Sequence, residues 1–73
     1  MPIVFSDHAI SQLKRRNISQ TIVIKVVKTS KEIISSYRTR KLRRGTVGDK
    51  LLEVVTKTEG SKITVVTAYF LED

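Results

Sequence analysis

A chain of 73 residues with 40% hydrophobic side chains and a net charge of +7 makes one small domain with a thin core. It leaves no room for separate cofactor-binding and substrate domains. The absence of cysteine removes disulfides and thiolate metal sites, one histidine argues against a zinc centre, and no apolar run is long enough to span a bilayer.

The first five residues, Met1-Pro2-Ile3-Val4-Phe5, run into Ser6, Asp7 and His8 without a signal-peptide pattern, so a cytoplasmic location is expected. Ser6 can cap a helix, with Asp7 in its first turn and Phe5 and Ile10 at the two positions of a hydrophobic staple. Ile10 and Leu13 are expected to face the core, and Lys14-Arg15-Arg16 suits the negative end of the helix dipole. Asn17 tolerates the left-handed conformation that ends a helix. Ser19 can cap a second helix over about residues 20 to 29, where Ile22/Val26 and Val23/Val27 have helical spacing. The β-branched residues of this segment favour a strand instead. The cap and the spacing of Lys25 and Lys28 decide for helix.

The remainder reads as sheet. A strand is expected from Glu32 to Arg38, continuing through Arg40 to Arg44, then a turn over Gly45 to Asp49. A second strand runs from Leu51 to Lys57, a hairpin turns at Glu59-Gly60-Ser61, and the last strand covers Lys62 to Leu71. The fold class is therefore α+β over residues 1–73 as one domain. Two N-terminal helices pack on one face of a three- to four-stranded twisted antiparallel sheet. Strict alternation along the last strand puts Val66, Ala68 and Phe70 under the helices and Thr67 and Tyr69 on the open face.

Charge is unevenly spread. Residues 1 to 48 hold eleven basic and two acidic residues, net +9, and residues 49 to 73 hold three basic and five acidic, net −2. Such a basic surface favours a polyanion, and nucleic acid comes first. The densest cluster is Arg38, Arg40, Lys41, Arg43 and Arg44. In one extended strand Arg38, Arg40 and Arg44 point one way and Lys41 and Arg43 the other. Either set could track phosphates, and either could simply charge an exposed edge. His8, near the positive end of a helix dipole, can stay neutral and act as a base; it can equally be a solvated surface residue. Tyr37 and Tyr69 can stack on bases or pack half-buried. Glu53 is the best carboxylate candidate, and as a mid-strand residue it reads as an outward-facing surface Glu.

The residues Phe5-Ser6-Asp7-His8-Ala9, Arg16-Asn17-Ile18-Ser19 and Val65-Val66-Thr67-Ala68-Tyr69 carry a resemblance. The chain resembles a family of small proteins of unknown function with the pattern Phe-Ser-x-His-Ala, then Arg, then Arg-Gly-Ile-Ser, then a last strand of the form Val-Val-Thr-x-Tyr. That family is grouped with the barnase/EndoU/colicin/RelE-like superfamily, which includes RelE- and BrnT-type toxins of toxin–antitoxin pairs. Gln12 and Asn17 depart from it, standing where the family has Arg and Gly.

The resemblance implies a RelE-like fold and a metal-independent endoribonuclease without cofactor. His8 would serve as base or acid, Arg16 with Arg40 or Arg43 would stabilise the developing negative charge, Tyr69 would orient the base or supply a proton, and Thr67 would bind phosphate. The function expected is a small basic RNA-binding protein, with toxin endoribonuclease activity as its extension. The alternatives are a non-catalytic nucleic-acid-binding module and a protein-interaction domain docking an acidic partner. Expected partners are RNA or DNA through phosphates, an acidic antitoxin or a second copy, with no membrane.

Overall fold

The computed structural model describes residues 2–71, apart from the side chain of Tyr37. In chain order the elements are β1 (Ile3–Phe5), α1 (Asp7–Arg16), α2 (Gln20–Thr29), β2 (Glu32–Ser35), a 3₁₀ turn at Tyr37–Thr39, β3 (Arg40–Val47), β4 (Lys50–Glu59) and β5 (Lys62–Leu71). The strands form one sheet in the order β1-β5-β4-β3-β2.

Local chemistry fixes both helices. The Ser6 hydroxyl accepts from the backbone N–H of Ala9 at 3.0 Å and opens α1, and Asn17 closes it at φ 55° with its N–H on the carbonyls of Leu13 and Lys14. The Ser19 hydroxyl accepts from Ile22 N–H at 3.2 Å and opens α2. The β-branched segment is helical because Val23, Val26 and Val27 are all buried against the sheet, and that packing outweighs a propensity cost of a few tenths of a kcal/mol per residue. Ala9, Leu13 and Ile18 complete the helical side of the core, over Leu52, Val54, Ile63, Val65 and Ala68. Leu13 is buried as expected, but its buried companion in α1 is Ala9 and not Ile10; Ile10 is half-buried beside Leu13 and Ile18 in a surface groove.

The sheet departs from the expected three or four antiparallel strands: it has five, and it is mixed. β1 pairs parallel with β5, Ile3 opposite Ile63 and Phe5 opposite Val65. It is locked there by Ile63 N–H on Pro2 O at 3.0 Å and Ser6 N–H on Val65 O at 3.1 Å. Three residues are too few for periodicity to reveal a strand whose partner lies at the far end of the chain. The run from Glu32 to Arg44 is also not one strand. It folds back as a β2–β3 hairpin, because Arg38 and Thr39 adopt left-handed conformations with φ 60° and 62°. No glycine marks this turn in the sequence. The turn after β3 is tighter than expected, at Gly48-Asp49, and Gly60-Ser61 joins β4 to β5; each has positive φ at the glycine only, as a type II′ turn requires. Gly45 stays in β3, where a Cβ would come within 3.1 Å of the Val26 side chain, so the missing side chain lets α2 approach the sheet.

Strict alternation fails once in β5. Val55 pairs with Thr67 and the next residue, Thr56, pairs with Val65, so Val66 is the extra residue of a β-bulge. The bulge shifts the parity: Ile63 and Val65 before it, and Ala68 and Phe70 after it, all pack toward the helices. Val66 therefore does not take the helix-side place expected for it. Thr67 and Tyr69 keep the open face, which no helix covers among the described residues.

Candidate functional site

The pairing registers order the open face into rows across the strands. Glu32 of β2, Arg44 of β3, Glu53 of β4 and Tyr69 of β5 stand side by side in one row, and Ile34, Leu42, Val55 and Thr67 in the next. Arg40 and Lys57 follow in a third.

The first row is a chain of polar contacts. Arg44 Nε donates to Glu53 Oε1 at 2.7 Å, and Arg44 Nη1 donates to Glu32 Oε1 at 3.0 Å. The Tyr69 hydroxyl donates to Glu53 Oε2. Glu53 points outward as expected but is only 4% exposed, because Arg44 and Tyr69 close over it. A buried carboxylate needs both partners, since each oxygen must keep a donor once water is removed. The hydrogen bond to Glu53, then burial, then the carboxylate's charge hold the Tyr69 phenol above its ordinary pKa; the positive charges of Arg44 and Arg16 act against this. The same carboxylate raises the Arg44 guanidinium. Arg44 is thus committed to two carboxylates.

Beside this row lies a shallow cavity of about 440 Å³, lined by Tyr69, Leu42 and Val55 and rimmed by Ser36, Arg38 and Arg40. Arg16 reaches the same face from the last turn of α1. Its Nη1 donates to Thr67 Oγ1 at 3.2 Å and to the carbonyl of Ala68 at 3.0 Å. β1 pairs only as far as Val65, so Ala68 lies on a stretch of β5 edge that β1 leaves uncovered, and Arg16 occupies it.

The candidates named from sequence are therefore divided. Arg16, Arg38, Arg40, Thr67 and Tyr69 gather at the open face. Lys41 and Arg43 lie on the other face of β3, as strand parity requires. There Arg43 Nε donates to the Thr56 hydroxyl at 3.2 Å, and that hydroxyl donates to Lys41 O at 3.0 Å. His8 is exposed in the first turn of α1. It lies eight positions from Arg16, about 12 Å of helical rise, does not line the cavity, and its side chain makes no hydrogen bond or ion pair among the described residues. The Tyr37 side chain lies outside the described residues. Sequence reading missed Leu42 and Val55 as the apolar floor and Glu53 as the anchor of Tyr69. The alternation of Arg40, Leu42 and Arg44 was the available signal, but it acquires meaning only once β4 and β5 are in register beside it.

This arrangement can hold a flat ring on Tyr69 and the apolar floor and place anions on guanidinium groups at either side. Among the described residues no group of three histidine, cysteine or acidic side chains could hold a metal ion, and no helix is long and apolar enough to cross a membrane. A family model described as Domain of unknown function (DUF4258) matches residues 5–70. No curated protein and no solved structure matches the chain.

Proposed function

We propose that this chain, which belongs to the DUF4258 family, is a small basic RNA-binding protein whose open sheet face holds the nucleic acid. The observation that carries this reading is the cavity in which Tyr69, Leu42 and Val55 form a floor beside Arg38 and Arg40, with Arg16 held next to it on Thr67, the cross-strand neighbour of Val55. Aromatic and apolar surface flanked by guanidinium groups is the chemistry that bases and phosphates require together. The excess of basic residues in the first 48 positions supports the same reading through long-range attraction.

Binding suits this geometry better than cleavage. Cleavage without a metal needs a base, an acid and a charge stabiliser around one phosphate. Arg16 is in place as a stabiliser, but the Tyr69 proton is engaged by Glu53 and His8 stands two helical turns away from Arg16. The endoribonuclease and toxin reading rests on the resemblance of the Phe5-Ser6-Asp7-His8-Ala9 and Val65-Val66-Thr67-Ala68-Tyr69 segments to RelE-like toxins. The order of a short strand, two helices and then antiparallel hairpins supports that reading.

The test is fluorescence anisotropy of a labelled RNA against the full chain at stepped salt, with chelator present and the RNA checked for cleavage on a gel. With three to four phosphate contacts, log affinity should fall against log salt with a slope of about −2 to −3. Binding that does not respond to salt would remove the reading. Cleavage that survives chelator and is lost in His8→Ala would restore the nuclease. An acidic peptide of equal charge that displaces RNA completely would assign the face to a protein partner.

A further inference from the structure

We infer that the open face takes one unpaired nucleotide at Tyr69, so that the chain selects single-stranded over duplex RNA. This rests on the RNA-binding reading above and adds the form of RNA and the residues that choose it.

Three observations carry the inference. The first is that the Tyr69 ring is fixed before any ligand arrives. Its hydroxyl is tied to Glu53, and Glu53 is tied to Arg44. A ring already held in place gives up little freedom when a base stacks on it. The second is the state of Arg16. Thr67 and Ala68 hold its Nη1, while among the described residues nothing accepts from Nε or Nη2. Those two N–H groups make the parallel fork that meets two oxygens of one phosphate. Arg16 is thus oriented by one nitrogen and open at the other two. The third is spacing. From Thr67 on β5 across Val55 on β4 to Leu42 on β3 is two strand-to-strand steps, about 10 Å. That width admits a base over the floor with a phosphate on Arg16 and another at Arg40.

A duplex cannot use this arrangement. Its bases are stacked on one another, so Tyr69 would meet a sugar–phosphate wall instead of a ring face. Among the described residues no helix lies on the open face, and the turn at its rim, Ser36 to Thr39, is too short to fill a groove. Arg44 could serve either form of RNA only by abandoning two carboxylates.

The experiment compares a fluorescein-labelled 12-nucleotide RNA with the same RNA annealed to its complement, at one salt concentration, using the full chain. The single strand should bind at least tenfold more tightly. Tyr69→Leu should weaken single-strand binding by about 5- to 150-fold, the range of one lost base stack. Arg16→Gln, at an exposed position, should weaken it and reduce the magnitude of the salt slope by about 0.7. Should Tyr69→Leu fail to fold, the strand comparison and Arg16→Gln decide the matter. Duplex bound as tightly as single strand, or Arg16→Gln binding with the wild-type slope, overturns the inference and leaves RNA binding standing. A wild-type chain that binds neither form overturns both.

Discussion

Tyr69 and Glu53 set the chemistry of the open face. Tyr69→Phe removes the hydrogen bond to a buried carboxylate while keeping the ring. It should lower stability by about 1 to 2 kcal/mol in urea unfolding at neutral pH, the size expected for a partly exposed bond to a charged group. The raised pKa of the phenol makes a second prediction. A proton held more tightly in the folded state contributes stability that is complete below the ordinary tyrosine pKa of about 10 and is lost as pH rises through the folded value. The wild type should therefore lose stability above pH of about 10 more steeply than Tyr69→Phe, and absorbance at 295 nm should show one tyrosine titrating late. A wild-type chain and a Phe variant with the same alkaline profile would remove the Tyr69–Glu53 contact from this account. The sequence marked Tyr69 and Glu53 separately and could not join them. They are 16 positions apart, and only the β4–β5 register, which the bulge at Val66 resets, brings them side by side.

At the scale of elements, capping and spacing made both helices legible: Ser6, Asn17 and Ser19 all act as the caps their chemistry suggests. The β2–β3 hairpin was not legible, because left-handed backbone at Arg38 and Thr39 has no residue type that announces it. Nor was β1, whose existence depends on a parallel partner 60 positions later. Gly45 reads in the sequence as a turn residue and proves to be a strand position chosen by α2. Val26 is 3% exposed and, being β-branched on a helix, has little freedom to move aside. Gly45→Ala should therefore destabilise by about 1 to 2 kcal/mol through overpacking, despite the better strand propensity of alanine. For a domain of this size that lowers the melting temperature by about 4 to 15 °C. A Gly45→Ala melt equal to or above wild type would mean that α2 can shift outward at no cost.

Over the whole molecule, the sheet separates two kinds of surface. One face is closed by α1 and α2 and supplies the core. The other is uncovered and collects Arg16, Arg38 and Arg40 around Tyr69, Leu42 and Val55. The sequence conveyed the excess of positive charge but not its division. Lys41 and Arg43 belong with the helices, Arg44 is consumed by Glu32 and Glu53, and Arg16 is carried to the open face by a helix that packs on the closed one. Replacing Arg38 and Arg40 together should accordingly weaken RNA binding more than replacing Lys41 and Arg43 together, in the same anisotropy assay. The most direct test of the central claim is methyl-detected NMR of the full chain titrated with the 12-nucleotide RNA. Shifts should concentrate at the methyl groups of Leu42, Val55 and Thr67 on the open face, with Leu13, Val23 and Val27 unmoved. Shifts confined to Leu13, Val23, Val27 and their helical neighbours, with Leu42 and Val55 silent, would contradict that claim.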